Sequence, residues 1–353
     1  MNVHLNLPTF IKMKRRNFLK KAGLFATSAG LLSLNVPEQE KIAPSIKIPK
    51  ALVKGDLIGI TAPAGTIWND YHIRKIEKIL TDMGYRVKIG ASNYKQVAYL
   101  AGTDESRAAE LMEMFKDTSI KAILTMRGGW GCARILDLLD YKEIIANPKI
   151  IMGFSDITSL VNAIYARTGL ITFHGPCGYS SWGDFTKEHV TNSLISGAPY
   201  EMVNPSGSEH ELRTLTSGKA KGKLIGGNLT VIQSMLGTNY EPVWDNNILF
   251  IEETNEEPYR IDRMLWHLKQ YGVFEQVNGV VIGSFNKCNP EEPEKSFSLN
   301  EVFDQHFKNV NFPVYQGASF GHLADKFTLP IGVMAEIDAD NFTIKTLGKS
   351  VLQ

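Results

Sequence analysis

Short apolar runs alternate with amphipathic segments along most of the chain from Leu57 onward. Runs such as "LIGITAP", "IKAILTM" and "KIIMGF" have the length of buried strands. Between them, "YHIRKIEKILTDMGY", "ESRAAELMEMFKD" and "SDITSLVNAIYARTG" place apolar residues near helical spacing. This alternation predicts an α/β fold whose N-terminal half is a Rossmann-like parallel sheet with helices on both faces.

The second half of the chain is predicted to form a smaller, mixed α/β domain. Strand-like "NILFIEE", "VNGVVIGSF", "VMAEID" and "NFTIKTL" are interspersed with helix-like "GGNLTVIQSMLGT" and "PYRIDRMLWHLKQYGVF". Pro258 suits a first helical turn, where its missing N–H costs nothing. The turn-rich stretch "VNPSGSEHELRTLTSGKAKG" indicates a linker. We therefore predict an N-terminal domain over 46–180, a linker over 181–220 and a C-terminal domain over 221–353, with ligands bound beyond the carboxyl ends of the parallel strands.

Residues 1–45 differ from the rest and are predicted to be an export signal and linker. Basic residues including Arg15 and Arg16 precede an apolar segment, 22–34, that is too short to span a bilayer but has signal-peptide proportions. "RRNFLK" resembles a twin-arginine signal, so we expect export, to the periplasm, without a stable membrane anchor. A disordered basic tail or a mitochondrial-type leader is the alternative, and without a working signal the protein would be cytoplasmic.

Composition excludes several classes of function. The chain has 353 residues, 43% hydrophobic and 21% charged, with a formal net charge of +1. These values are typical of a soluble globular protein and give no electrostatic footprint for nucleic acid. Cys132, Cys177 and Cys288 form no C-x-x-C pair, so the sequence suggests neither a disulfide framework nor a zinc knuckle. We expect each cysteine to be a core residue and expect no bound metal.

Ser155 stands where the strand-like "KIIMGF" runs into a helix-like segment. A hydroxyl here is either a helix cap or a nucleophile presented beside the positive end of the helix. "GFSD" matches only part of the G-x-S-x-G elbow, because the second glycine is missing. Glycine-rich "RGGWG", residues 127–131, follows another strand and either lets backbone amides approach a ligand or simply forms a tight turn. It fits no nucleotide-binding motif.

A serine nucleophile needs a base and a third group that orients the base. Glu252 and Glu253 end a predicted strand, where a carboxylate can orient an imidazole or merely begin a charged loop. Among the eight histidines, His322 follows a glycine in a predicted loop, and His174 at a strand end is its rival. A single loop histidine is usually structural, so these residues alone leave the choice open.

The order of the motifs is more specific than any one of them. "RGGWG", "GFSDIT", "TFHGP", "GGNL", "FIEETNEEPYRIDRML" and "GASFGH" together resemble the LD-carboxypeptidases, serine peptidases that trim murein tetrapeptides. The resemblance begins near Leu52, with "LVKGDLIGITAPAG", and runs nearly to the C-terminus. It implies a catalytic triad of Ser155, Glu252 and His322, in the chain order that the family uses, with the active site in the cleft between the two domains.

The resemblance also implies an oxyanion hole and a substrate site in the glycine loop. The donors would be the backbone N–H groups of Asp156 and Gly129, with Gly128 and Trp130 beside them. Trp130 stands where the family more often has tyrosine, which keeps an aromatic wall. Arg127 is a candidate for binding the substrate carboxylate, with a structural role in the loop as its alternative.

The activity implied by the resemblance is hydrolysis of the L,D-peptide bond of murein tetrapeptides, with release of D-alanine and no cofactor. One alternative is a microcin-immunity type of amidase that acts on peptidyl or aminoacyl nucleotides, for which Trp182 could stack on a base. Another is an exported, noncatalytic binding protein built from the same two α/β halves. The sequence does not decide whether the protein forms a homodimer. The predicted export signal departs from the family pattern, since many relatives are cytosolic recycling enzymes.

Overall fold

The alternating pattern of the sequence folds into two sheets connected by helices. The structure is a computed structural model that describes residues 45–207 and 211–353. The predicted export signal, with Arg15 and Arg16, lies outside the described residues. The two sheets belong to one compact unit, Ala43–Gln353.

The strands have the short lengths that the apolar runs predict. In chain order they are β1 (Leu57–Thr61), β2 (Arg86–Ile89), β3 (Ile120–Thr125), β4 (Ile150–Gly153), β5 (Thr172–His174), β6 (Glu201–Met202), β7 (Arg213–Thr216), β8 (Lys219–Asn228), β9 (Ile248–Thr254), β10 (Gly279–Asn286), β11 (Val314–Gln316), β12 (Leu329–Ile331), β13 (Met334–Asp338) and β14 (Thr343–Thr346).

The first sheet has the strand order β12-β5-β4-β3-β1-β2. Strands β1 to β5 pair in parallel, and β12 is antiparallel to β5. Alternate residues of β3 enter two different apolar clusters, Ile123 in one and Leu124 in the other. Because both faces are covered at the centre of this sheet, β1, β3 and β4 are buried almost throughout, whereas the edge strand β2 alternates exposed and half-buried residues.

The second sheet has the order β6-β14-β13-β8-β9-β10-β11-β7. Its central strands β8 to β11 are parallel, and antiparallel strands flank them on both sides. The predicted class is therefore confirmed: a mostly parallel N-terminal sheet and a mixed C-terminal sheet. Strand β12 is the exception to this division, because it comes from the C-terminal half but joins the first sheet.

Each predicted amphipathic segment contains a helix, whereas the helices that begin at Tyr141, Asp184 and Leu299 were not predicted. The helices are α1 (Tyr71–Asp82), α2 (Asp104–Lys116), α3 (Tyr141–Ala146), α4 (Ile157–Thr168), α5 (Asp184–Thr191), α6 (Leu229–Met235), α7 (Pro258–Gln270) and α8 (Leu299–Phe307). Pro258 begins α7, as expected, and the apolar stripe of this helix at Ile261, Leu265 and Leu268 is fully buried.

Two segments differ from the sequence expectations. Residues 181–220, expected to be a linker, contain α5, β6, β7 and the start of β8. Polar residues alternate with apolar ones in these strands, which hides the strand signal among turn formers. "GGN" was expected to begin a helix, but it ends β8, and Asn228 then caps α6 by accepting the Val231 N–H at 3.2 Å. The domain boundaries themselves stay a prediction.

Helix α4 connects the two sheets at the point where the site lies. It packs against β4 and β5 of the first sheet and against β8 of the second. The Thr158 hydroxyl accepts the Asn228 N–H at 3.0 Å, and the Asn162 amide donates to the Gly226 carbonyl at 2.8 Å. These buried hydrogen bonds fix the carboxyl end of β4 relative to the end of β8.

Candidate active site

Ser155 occupies the tight turn between β4 and α4. Its backbone is in the left-handed region, with φ of 65°, which costs energy for a residue that has a side chain. The helix cap position belongs to Asp156, which makes no side-chain cap bond. The structure therefore does not support the helix-cap interpretation of Ser155. A strained strand-to-helix turn is instead the geometry that presents a nucleophilic serine above a sheet.

The glycine loop, residues 127–131, lies directly against this turn. A Cβ built on Gly128 would be 2.7 Å from Ser155 Cβ and 2.9 Å from Asp156 N, so no side chain fits there. The Gly128 carbonyl accepts the Gly65 N–H at 3.1 Å, which holds the loop from its other side. The amides of Gly129 and Asp156 have no acceptor within the described chain. Both predicted oxyanion donors are thus unbonded within the described chain, and their role stays a prediction.

The Asp156 side chain has a role that the sequence analysis missed. Its carboxylate is buried and accepts the Cys132 N–H at 2.8 Å, just beyond the glycine loop. Burial raises the pKa of this carboxyl to about 6, and the hydrogen bond from Cys132 opposes that shift. The side chain therefore ties the loop to the turn, whereas only its backbone N–H was predicted to matter.

Glu252 and His322 are hydrogen-bonded to each other. Oε2 of Glu252 lies 2.6 Å from Nδ1 of His322, the carboxylate is fully buried, and the imidazole is 22% exposed. Gly321, with φ of 102°, lets the histidine loop rest on the strand, because a Cβ there would be 2.7 Å from Glu252 Cβ. A carboxylate that accepts a hydrogen bond from Nδ1–H leaves Nε2 as the basic nitrogen.

The structure brings the three predicted triad residues to one region. Glu252 pairs in register with Asn228, whose N–H is bonded to α4 just after Ser155. The imidazole of His322 lies 4.9 Å from the ring of Phe154, which immediately precedes Ser155. Within the described chain the Ser155 hydroxyl and the imidazole are not hydrogen-bonded. Such contacts often tighten only when substrate binds, so the complete triad stays a prediction.

Glu253 points away from this site, as the strand pleat requires. Its carboxylate is buried and accepts hydrogen bonds from the Asn228 side chain and the Thr230 N–H, each at 2.8 Å. It also accepts the Thr254 N–H at 2.9 Å. Burial raises the pKa of this carboxyl. Glu253 therefore joins β9 to the start of α6 and has no contact with the imidazole.

His174, the rival base, is enclosed in the core. It packs among the rings of Phe154, Phe250 and Phe320, and neither ring nitrogen has a partner within the described chain. Burial lowers its pKa to about 4. A substrate cannot reach this imidazole, so we exclude it as the general base.

The three remaining candidates for substrate contacts, two tryptophans and an arginine, differ in exposure and bonding. Trp130 is 48% exposed, and its role as an aromatic wall of the site stays a prediction. Trp182 is buried, and its Nε1 donates to the Cys177 carbonyl at 3.0 Å, so the suggestion that it stacks on a base is wrong. Arg127 donates to the Thr66 carbonyl at 3.1 Å and packs over the Tyr179 ring, which favours the structural role.

Two absences concern only the part of the chain that the structure describes. In that part, no group of three or more His, Cys, Asp or Glu side chains is arranged to hold a metal ion. None of its helices combines the length and the apolar character that crossing a membrane requires.

Comparison with known proteins gives consistent matches. Residues 58–175 match the family description "LD-carboxypeptidase N-terminal domain", and residues 221–337 match "LD-carboxypeptidase C-terminal domain". A probable murein peptide carboxypeptidase of Bacillus subtilis is 38% identical over 294 residues, covering 82% of this chain and 91% of that protein. The microcin C7 self-immunity protein MccF of Escherichia coli is 33% identical, covering 85% and 95%. The crystal structure of an MccF-like protein from Bacillus anthracis superimposes with a TM-score of 0.78 at 31% identity, covering 86% and 99%.

Proposed function

Because the chain belongs to the LD-carboxypeptidase family of serine peptidases, we propose that it removes the terminal D-alanine from murein tetrapeptides. The bond cut would be the L,D-peptide bond after the third residue. The observation that carries the proposal is the 2.6 Å hydrogen bond between Glu252 and His322, next to the strained turn of Ser155. The name of the B. subtilis relative supports murein peptide as the substrate class.

The residues have distinct roles in the proposed reaction. The Ser155 Oγ attacks the scissile carbonyl carbon while His322 Nε2 takes the hydroxyl proton, and Glu252 stabilises the imidazolium. The backbone amides of Asp156 and Gly129 bind the developing oxyanion. When the C–N bond breaks, the imidazolium donates its proton to the leaving amine of D-alanine. Water then attacks the acyl-enzyme with His322 as base, which releases the tripeptide and free Ser155.

Two alternatives receive less support from the site. A nucleotide-directed amidase was suggested through Trp182, but that side chain is buried in the core and offers no face to a base. A noncatalytic binding protein has no need for a serine held at a φ of 65° beside a Glu–His pair. The similarity to MccF keeps the amidase as an outcome that the experiment must distinguish.

The test is a substrate panel with the purified protein in the presence of a chelator. Murein tetrapeptide is expected to give tripeptide and free D-alanine, whereas pentapeptide ending in D-Ala-D-Ala stays largely intact. Products are separated by chromatography and identified by mass. Cleavage of an aminoacyl adenylate analogue with an inert tetrapeptide would support the amidase instead, and an inert panel would support a binding protein.

A further inference from the structure

Lys326 is an almost fully buried lysine, 3% exposed, four residues after His322. Its ammonium lies 5.0 Å from the centroid of the Phe154 ring. Within the described chain, Nζ makes no hydrogen bond and no ion pair; only the backbone N–H is bonded, to the Thr186 hydroxyl at 3.2 Å. Burying an ammonium without a polar partner is costly. The presence of a buried ammonium without a polar partner therefore needs a physical explanation.

Lys149 shows how the same fold satisfies a buried ammonium that is purely structural. Lys149 is 7% exposed, and its Nζ donates to the carbonyl of Met114 at 2.9 Å and to that of Asp117. Those carbonyls replace the water that the ammonium loses. Within the described residues, Nζ of Lys326 has no such acceptor; it contacts the Phe154 ring, which is not a polar partner.

The ammonium of Lys326 is also not sealed off. The enclosed polar atoms that lack partners include both ring nitrogens of His174 and Oε1 of Glu252, but not Nζ of Lys326. Nζ of Lys326 is therefore not fully enclosed by the described residues. Burial lowers its pKa, and the charge of Glu252 is among the groups that oppose this shift. A mostly buried ammonium that is not fully enclosed can form a charge-assisted hydrogen bond with an anionic ligand.

Phe154, which the Lys326 ammonium contacts, belongs to the candidate active site. The Phe154 ring that carries Lys326 also contacts His322, at 4.9 Å between ring centroids, and Phe154 immediately precedes Ser155. In a peptide, the terminal carboxylate lies one residue beyond the scissile carbonyl, and one residue spans about 3.8 Å. The group that binds this carboxylate must therefore lie within a few ångströms of the serine and the imidazole.

We propose that Lys326 binds the free terminal carboxylate of the substrate and so makes the enzyme a carboxypeptidase; this inference rests on the proposed function. The D-alanine carboxylate supplies the anion that the ammonium lacks in the folded chain. A pentapeptide places its carboxylate one residue too far away, so it leaves the buried cation unpaired. Specificity for the end of a tetrapeptide then follows from the distance between the Lys326 ammonium and the scissile carbonyl, which only a carboxylate one residue away can match.

A different role for Lys326 must be separated from this one. The ammonium could act only as a counter-charge to the buried carboxylate of Glu252. That role would affect every substrate equally, because it acts on the imidazole and not on the leaving group. Carboxylate binding affects only substrates that carry the charge.

The experiment compares two substrates and three proteins. The substrates are the murein tetrapeptide with a free carboxylate and the same peptide ending in a carboxamide; the proteins are wild type, Lys326→Met and the matched control Lys149→Met. Losing one partner of a buried charge pair corresponds to a loss of about 30-fold or more. We expect wild type to prefer the acid by at least about this factor in kcat/KM, and Lys326→Met to prefer it by less than about threefold. Lys149→Met should lose stability but keep the full preference.

Each outcome decides the matter. A preserved preference in Lys326→Met, or an equal loss on both substrates, overturns carboxylate binding. Turnover of both peptides by wild type without preference overturns this inference alone, whereas turnover of neither overturns the proposed function. Lys326→Gln replaces Lys326→Met if thermal unfolding shows that the methionine variant does not fold, and the same preference is measured.

Discussion

Gly128 allows the most direct test of how the glycine loop serves the nucleophile. The Cβ of Gly128→Ala would lie 2.7 Å from Ser155 Cβ, 2.8 Å from its Oγ and 2.9 Å from Asp156 N, against at least 3.4 Å for ordinary contact. The loop or the serine must therefore move by about 0.7 Å. A misplacement of about 1 Å costs roughly 10²-fold in rate, and a lost oxyanion donor costs about as much. We expect kcat to fall about 10²-fold, with a stability loss of about 1–3 kcal/mol.

The assay measures kcat and KM on murein tetrapeptide, with denaturant unfolding of the same preparations. Gly348→Ala is the control, because its Cβ would meet nothing closer than Val333 Cγ1 at 3.6 Å, and neither glycine has a positive φ. The control should match wild type in both measurements. If Gly128→Ala folds and keeps at least half of the wild-type kcat, the loop does not touch the reacting groups and the reasoning is refuted.

Three other changes have expected outcomes. Glu253→Ala should lower the free energy of unfolding by about 2–4 kcal/mol, because it leaves buried amides unpaired, yet the folded fraction should keep kcat/KM within about 10-fold, unlike Glu252→Ala; a stable but inactive Glu253 variant would contradict this. Asp156→Asn keeps an acceptor for the loop and removes a carboxyl whose pKa is raised to about 6. Since the folded state binds that proton more tightly than the unfolded chain, wild-type stability should fall as pH rises from about 4 to 6. The variant should then be more stable by up to about 3 kcal/mol at pH 8 and equal below pH 4, and parallel urea-unfolding profiles would disprove it. Replacing Arg15 and Arg16 with lysine should leave the purified activity unchanged but retain the protein in the cytoplasm; equal periplasmic yield in a cell fractionation would argue against export.

Periodicity was enough to predict most of the fold. Strands β1, β3 and β4 and helix α7 are unambiguous, because buried strands are continuously apolar and the Ile261–Leu268 stripe repeats at helical spacing. Strand β8 was missed because its first half, "KAKG", is polar and lies near the surface. Its pairing with β9 and β13 comes from distant parts of the chain, which no local pattern reveals.

The candidate site was predicted through the order of its motifs rather than through any single residue. The pleat explains why Glu252 contacts His322 while Glu253 turns to α6, and this could be anticipated from the strand alone. The burial of the Asp156 carboxylate and of the Lys326 ammonium could not be anticipated from the sequence, because charged residues at these positions are typical of exposed loops. Only the packing of the two sheets encloses them.

The central claim is that Ser155 is the nucleophile of a peptidase, and the turnover of Ser155→Ala tests it most directly. The measurement is kcat/KM for D-alanine release from murein tetrapeptide, on protein whose thermal unfolding matches wild type. Triad residues act as a unit, so the expected loss is about 10⁴-fold or more. Release of D-alanine by the folded variant within about 10-fold of wild type would contradict the account.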